Sequence, residues 1–209
     1  LVGTDLLPER LQVLYEKYQT VIESPEQDTQ VLLKAPPDRD MAAFNASLVA
    51  ATGGRGFDDI IVLAPSTGVV AGAVPMLAPG ATMNVFAGLP KGSLAAINLR
   101  DVVNKDLRFT GTSGSAISDL RYMLNEAESG RLDPNLSVVA VSGLRDTKKG
   151  LDGVIHQQFP GKVVIYPQVL DFPLTLLADL KDSLPTVYAQ LGPNESWTVA
   201  AEEAFLEEL

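Results

Sequence analysis

The sequence predicts an α/β protein built on a parallel, doubly wound sheet. Three observations lead to this fold class. Strand and helix patterns alternate along most of the 209 residues, which is typical of a sheet flanked by helices. Several strand patterns are continuous apolar runs, as at 60–64 and 83–87, and strands covered on both faces have this composition. Helical patterns and prolines replace the alternation after residue 167.

The first 90 residues hold four predicted strands separated by helices. In order, they are a strand at 1–5, a helix from Pro8, a strand at 31–33, a helix after Asp40, a strand at 60–64, a helix at 68–77 and a strand at 83–87. Pro8 suits the first turn of a helix, where a backbone N–H is not needed. Asp40 is a favoured cap, and Gly53 and Gly54 end its helix.

The remaining residues add three strands and a helical tail. In order, they are a strand at 107–110, a helix at 115–129, a strand at 138–141, a short helix at 146–158, a strand at 161–166 and helical patterns at 174–184 and 198–209. The helix at 115–129 is amphipathic, with Ile117, Leu120 and Leu124 on its apolar face, and Gly130 ends it. Ser196 or Thr198 can cap the last helix.

Composition excludes several classes of function. A net charge of −10 argues against nucleic-acid binding, which needs a basic patch. The chain has no cysteine and a single histidine, His156, so we expect no disulfide and no metal site of the common ligand types. No apolar run is long enough to cross a membrane. The composition is compatible with a soluble cytoplasmic enzyme.

Candidate ligand contacts lie where the strands end, because doubly wound sheets bind ligands at the carboxyl ends of their strands. Asp5 ends the first strand, where an acid can accept hydrogen bonds from both adenosine-ribose hydroxyls and repel a 2′-phosphate, which favours NAD over NADP. Arg10, one helical turn on, can lie over the ribose or the adenine. A helix cap or an ordinary loop acid is an equally open interpretation of Asp5. The glycines after the strands at 83–87 and 107–110 allow close backbone approach, or they form plain turns.

The order of these motifs resembles a known family. The matching stretches are V-G-T-D-x4-R-L at 2–11, G-G-R-G-F-D-D-I-I-V at 53–62, L-A-P-G at 77–80, N-V-F-A-G-L-P at 84–90, K-D-L-R-F-T-G-T-S-G at 105–114 and F-P-G-K-V-V-I-Y-P at 159–167. The chain resembles the C-terminal half of medium-chain dehydrogenases/reductases of the zinc alcohol and polyol dehydrogenase type. Its tail, with W-T-x-x-A-E-x-x-F-L at 197–206, is similar to the sorbose-1-phosphate reductase-like branch.

The resemblance implies a domain organisation and a set of cofactor contacts. Residues 1–136 would form part of an NAD(P)-binding Rossmann domain, 137–167 the return segment of the catalytic domain and 168–209 a C-terminal helical extension. The implied adenosine-side contacts are Asp5, Arg10, Ala64, Pro65 and Ser66. The implied nicotinamide-side contacts are Ala87, Gly88, Leu89, Thr112, Ser113 and Gly114.

The resemblance also implies a reaction, hydride transfer between NAD(P) and a polyol, sugar phosphate or alcohol, in a homodimer or tetramer. The reductase-like branch is associated with NADPH, whereas Asp5 favours NAD. We expect the first strand, the G-x-G-x-x-G loop and the zinc ligands to lie outside this chain. The chain alone would then hold no catalytic residue and be inactive.

Two other functions stay open from the sequence. A Rossmann-like domain could serve as a non-catalytic binding or oligomerisation module, using the strand at 107–114 and the helical tail. A methyltransferase-type nucleotide-binding domain also places an acid at the end of its second strand. The G-L-P turn at 88–90 and the return segment favour the dehydrogenase.

Overall fold

A computed structural model describes residues 1–25, 28–37, 40–112 and 114–209. The chain divides into two compact units. Unit 1 combines Leu1–Ala35 with Leu124–Leu209, and unit 2 is Pro36–Met123. The three segments predicted from the sequence, 1–136, 137–167 and 168–209, remain a prediction.

Unit 1 begins with a strand, a helix and a second strand that pairs in parallel with the first. These are β1 (Val2–Thr4), α1 (Pro8–Ile22) and β2 (Leu32–Lys34). Its C-terminal elements are β6 (Val138–Gly143), α6 (Thr147–Ile155), β7 (Lys162–Tyr166), β8 (Thr175–Leu176), α7 (Leu180–Ser183), α8 (Pro185–Tyr188) and α9 (Val199–Glu208). Strand β6 lies between β7, which is parallel to it, and β8, which is antiparallel.

Unit 2 is a three-stranded parallel sheet with helices. Its elements are α2 (Met41–Ala50), β3 (Phe57–Val62), α3 (Thr67–Ala73), β4 (Leu77–Val85), α4 (Leu99–Asn104) and β5 (Arg108–Gly111). Helix α5 (Ile117–Glu128) begins in this unit. Asp40 caps α2, as predicted, by accepting a hydrogen bond from the Ala43 N–H at 3.0 Å. The hydrophobic core of this unit is built around Met83, Leu77 and Val74.

Within each unit, the parallel strands follow the neighbour order of a doubly wound fold. In the order 3-2-1-4-5-6, β2 and β1 correspond to strands 3 and 2, and β3, β4 and β5 to strands 4, 5 and 6. Strand 1 has no counterpart among the described residues. Within the part of the chain that the structure describes, β1 pairs only with β2, and β3 only with β4. The predicted α/β class is confirmed, but the strands form separate sheets.

Two element predictions were wrong in detail, and one short helix was missed. Ala78-Pro79-Gly80 was expected to separate a helix from a strand, but β4 runs through it from Leu77, with Gly80 at φ +77° in an irregular stretch of the ladder. The short helix α4 was not predicted. Residues 174–184 were expected to be helical throughout, whereas Thr175 and Leu176 form β8 because they pair with Val141 and Ala140 of β6.

The C-terminal tail completes the core of unit 1. Trp197 and Phe205 are almost fully buried against Tyr166 at the end of β7. The rings of Phe205 and Tyr166 lie 5.0 Å apart between centroids, and that of Phe172 meets Phe205 edge to face at 5.1 Å. Aromatic clusters of this kind contribute packing and quadrupole attraction. The tail is therefore an integral part of unit 1.

Candidate functional site

Asp5 lies at the carboxyl end of β1, and one of its carboxylate oxygens accepts a hydrogen bond from the nearby backbone. Oδ1 accepts a hydrogen bond from the Leu7 N–H at 2.9 Å, which turns the chain into α1, as short acidic side chains commonly do. The N-cap residue of α1 is Leu7, so the structure does not make Asp5 the helix cap. Oδ2 accepts no hydrogen bond from the described residues. Asp5 therefore keeps an acceptor for a ligand.

Arg10 lies beside this carboxylate without hydrogen bonding to it. Its Nη1 is 3.7 Å from Asp5 Oδ2, and both side chains are about one-third exposed, at 30% and 32%. The other terminal nitrogen, Nη2, donates to Gln157 Oε1 at 3.1 Å and to the Gln157 carbonyl at 3.5 Å. Gln157 was not singled out from the sequence. It is 147 residues from Arg10, and no local pattern links the two.

A groove opens beside the ends of β1 and β2. It has a volume of about 410 Å³ and is lined by Pro8, Leu11, Gln12, Tyr15, Leu33 and Ala35. Most of its wall is apolar, and Gln12 and Tyr15 are its polar residues. The Tyr15 hydroxyl donates to the Glu23 carboxylate, and this hydrogen bond raises the pKa of Tyr15. Tyr15 therefore stays neutral.

In unit 2, the strand register brings two predicted contact segments to one edge of the sheet. Val62 pairs with Val85 at the ends of β3 and β4, and the N–H groups of Phe86 and Ala87 both donate to the Val62 carbonyl, at 3.1 and 2.9 Å. Ala64, Pro65 and Ser66 follow β3, and all three are exposed. Ser66 Oγ caps α3 by accepting from the Val69 N–H at 3.4 Å. The Ser66 side chain thus has a structural role as well.

The backbone after β4 is partly committed, since the Ala87 N–H donates to the Val62 carbonyl at 2.9 Å and the Leu89 N–H to the Ala87 carbonyl at 2.8 Å. Ala87 is buried, Leu89 packs against the core of unit 2, and Gly88 between them is exposed. A Cβ added at Gly88 would meet no atom within 4 Å. This open space around the peptide is what a close backbone contact to a ligand requires.

The end of β5 reaches the same edge of the sheet. Gly111 pairs with Val85, so Thr112 follows next to the segment after β4, and its side chain is exposed. Gly114 has a left-handed φ of +84°, which favours glycine. Ser113, also predicted as a contact, lies outside the described residues. The register thus places the unit 2 candidates at the ends of three adjacent strands, whereas Asp5 and Arg10 belong to unit 1.

Asn84 on β4 is a further polar residue that the sequence reasoning did not select. Its Oδ1 is buried and has no hydrogen-bond partner among the described residues. The side chain points to the face of β4 opposite Met83, because neighbouring residues of a strand alternate. Ile61, its neighbour in register on β3, is 64% exposed on that face. The only sequence signal for Asn84 is its place in the N-V-F-A-G-L-P stretch.

The residues do not fit a zinc site. Among the described ranges, no group of three or more His, Asp or Glu side chains lies close enough to hold a metal ion. His156 Nδ1 lies 2.7 Å from the Asp152 carbonyl of its own helix. Within unit 1, by contrast, Asp5 Oδ2 accepts no hydrogen bond from the described residues and has Arg10 beside it, a combination that suits the hydroxyls of a ribose. No helix in the described part of the chain is long and apolar enough to cross a membrane.

Comparisons with known proteins agree with the motif resemblance. No protein-family model matches the chain. L-sorbose 1-phosphate reductase of Klebsiella pneumoniae is 33% identical over 169 residues, which are 78% of this chain and 40% of that protein. Mannitol-1-phosphate 5-dehydrogenase of Aliivibrio fischeri is 29% identical over 164 residues, 73% of this chain and 38% of that protein. The chain thus spans about two fifths of the length of these curated relatives.

Solved structures show the same fold. 2R,3R-butanediol dehydrogenase from Bacillus subtilis matches 79% of this chain and 43% of its own, with a TM-score of 0.60 and 20% identity. A zinc-binding dehydrogenase from Clostridium scindens matches 80% and 42%, with a TM-score of 0.59 and 18% identity. The predicted resemblance is confirmed: the chain is similar in sequence to sugar- and polyol-phosphate oxidoreductases and has, over most of its length, the fold of zinc-type alcohol dehydrogenases.

Proposed function

We propose that this chain is the dinucleotide-binding part of an oxidoreductase that transfers a hydride between NAD(P) and a polyol, sugar phosphate or alcohol, with NAD favoured. The main support is the geometry of Asp5. Its Oδ1 accepts a hydrogen bond from the Leu7 N–H, whereas its Oδ2 accepts none from the described residues. In this proposal Oδ2 accepts from the adenosine-ribose hydroxyls. The negative charge of Asp5 would oppose the 2′-phosphate of NADP.

Each unit has its own role in the proposal. In unit 1, Asp5 and Arg10 contact the adenosine ribose, and the groove lined by Leu11 and Leu33 offers an apolar surface to the adenine. In unit 2, the backbone of Ala87–Leu89 holds the nicotinamide carboxamide. Ala64, Pro65 and Ser66 lie along the adenosine half of the cofactor, and Thr112, Ser113 and Gly114 line the nicotinamide pocket.

The bound dinucleotide would supply the redox chemistry, taking a hydride from a carbinol carbon or returning it to a carbonyl carbon. The residues of this chain bind and orient it, and no catalytic residue is proposed among them. No step is assigned to zinc, because the described residues offer no ligand set. We therefore expect the 209-residue chain alone to show no alcohol or polyol oxidation, and detectable turnover would contradict this.

The substrate class is proposed from the relatives. The two curated relatives are named for sorbose 1-phosphate and mannitol 1-phosphate, which favours a sugar or polyol phosphate over a simple alcohol. We also propose that the protein acts in the cytoplasm as a homodimer or tetramer. Among the described residues, no strand pairs with the edge of β5 (Arg108–Gly111) that faces away from β4, and this edge offers backbone groups for self-association. Sedimentation equilibrium would measure the oligomeric state.

Cofactor titrations test the proposed function. The chain should enhance NADH fluorescence, and Asp5→Asn should weaken NADH binding by about tenfold, as loss of a charged hydrogen-bond acceptor implies. Asparagine keeps an oxygen for Leu7 N–H, so the fold should survive. Asp59→Asn, an exposed acid on β3, is the matched control and should leave binding unchanged.

The alternative functions give different outcomes. Binding of S-adenosylmethionine in place of NADH would favour a methyltransferase-type domain. Binding of neither, with self-association retained, would favour a non-catalytic module. NADH binding that is indifferent to Asp5→Asn would remove Asp5 from the proposed site.

A further inference from the structure

We propose that Gln157 is a positioning residue that sets the preference for NAD over NADP by keeping Arg10 beyond hydrogen-bonding distance of the Asp5 carboxylate. The inference rests on the proposed function, because it assigns a role to a residue that touches the proposed ribose contacts. Asp5, Arg10 and Gln157 all belong to unit 1.

Gln157 occupies a backbone position at which glycine is the favoured residue. It follows the end of α6, and its φ is +55°, in the left-handed region. The Gln157 N–H donates to the Val154 carbonyl at 3.1 Å, and the Gln158 N–H to the Gly153 carbonyl at 2.8 Å. These two bonds form a Schellman motif, whose left-handed residue is most often glycine. A glutamine here makes the backbone less stable than glycine would.

The side chain at this position makes a specific long-range contact. Gln157 offers Arg10 two acceptors, its Oε1 at 3.1 Å and its own carbonyl at 3.5 Å, and Arg10 Nη2 donates to both. The left-handed turn presents the carbonyl and the side-chain oxygen to the same guanidinium nitrogen. An unfavourable backbone conformation that serves a side-chain contact is a reason to look for a role in function.

The contact with Gln157 fixes the position of the Arg10 guanidinium relative to Asp5. With Nη2 held by Gln157, Nη1 stays 3.7 Å from Asp5 Oδ2, too far for a hydrogen bond. Oδ2 is then available to the ribose hydroxyls. An Arg10 released from Gln157 could move closer to Asp5, to hydrogen-bonding distance, and occupy Oδ2. It could equally turn to a 2′-phosphate, for which a guanidinium is a strong partner.

Substitutions at Gln157 separate this role from helix termination. Gln157→Gly restores the preferred residue of the motif and removes Oε1. We expect it to melt at the same or a higher temperature, while the ratio of the NADPH to the NADH dissociation constant falls about tenfold, as loss of a hydrogen bond to a charged group implies. Gln157→Ala should lower the ratio similarly, Gln157→Glu should preserve it, and the neighbouring Gln158→Ala is the control.

The titrations distinguish the possible failures. If Gln157 only ends the helix, Gln157→Gly will bind both dinucleotides like the wild type, and an unchanged ratio overturns this inference alone. A Gln158→Ala effect as large as that of Gln157→Ala also overturns it. A wild-type chain that binds neither NADH nor NADPH overturns the proposed function, and this inference with it.

Discussion

The indole N–H of Trp197 donates a hydrogen bond to the hydroxyl of Tyr166 at 3.1 Å. Burial, and then the nearby Glu202 carboxylate, raise the pKa of Tyr166 to about 12. An unfolded tyrosine ionises near pH 10, so between about pH 10 and 12 the folded chain retains a proton that the unfolded chain loses. The contribution of this hydroxyl to stability should be complete below pH 10 and be lost as pH rises towards 12.

Tyr166→Phe tests this pH dependence. The variant should be less stable than wild type by about 1 kcal/mol at pH 8, because the buried indole N–H loses its acceptor. The difference should shrink at pH 11, and urea unfolding at both values measures it. Tyr122→Phe, on the exposed face of α5, is the control, and its difference from wild type is measured at the same two pH values. A Tyr166→Phe difference that is independent of pH would contradict the assignment.

The unpaired amide oxygen of Asn84 predicts a stabilising substitution. A buried acceptor without a partner destabilises a fold by about 1–3 kcal/mol, and β-branched residues suit strands. Asn84→Val should therefore raise the free energy of unfolding by about 1 kcal/mol, measured by urea denaturation followed by circular dichroism. Thr82→Val, on the same face of β4, is the control. Destabilisation by Asn84→Val alone would show that the amide is satisfied in the folded protein.

Two glycines should respond oppositely to alanine. Gly88 has open space around it, so Gly88→Ala should leave the melting temperature unchanged and weaken NADH binding by about tenfold. Unweakened NADH binding by Gly88→Ala would argue against the proposed backbone contact at Ala87–Leu89.

At Gly143 an added Cβ would lie 2.6 Å from the Val169 carbonyl oxygen, so Gly143→Ala should cost about 1–3 kcal/mol of stability.

Thr198 should matter to the stability of unit 1. Its Oγ1 accepts from the Ala201 N–H at 3.0 Å and donates to the Gln190 carbonyl at 2.7 Å, so it caps the helix that carries Phe205 into the core. Thr198→Ala should cost about 1–2 kcal/mol, measured by thermal unfolding. Ser129→Ala, which removes an exposed hydroxyl bonded to the Glu126 carbonyl, should cost less. Equal losses in the two variants would be evidence against a special role for the cap.

Local chemistry made much of the fold predictable. The Asp40 cap and the strand at 138–141 are signals that a few adjacent residues carry, and the structure confirms both. Of the two caps predicted for the last helix, Ser196 and Thr198, the structure shows Thr198. Strand β8 gave no such signal, because its two residues become a strand only by pairing with β6. The path of β4 through Pro79 and Gly80 depends equally on its neighbours.

The candidate site likewise includes residues that the local sequence predicts and residues that it does not. Asp5 and Gly88 could be selected because each follows a strand pattern directly. Gln157 could not, because nothing near it in sequence distinguishes a residue that ends a helix from one that holds Arg10. Asn84 was also missed, since an unpaired side-chain atom is visible only once the surrounding packing is known.

The position of Trp197 has a practical consequence. It is the chain's single tryptophan, it is 2% exposed, and it lies in the core of unit 1. Tryptophan fluorescence therefore reports on the unfolding of unit 1 alone, because unit 2, residues 36–123, contains no tryptophan. Comparing that signal with a backbone probe during denaturation would reveal whether the two units melt together or in sequence, with no dye attached.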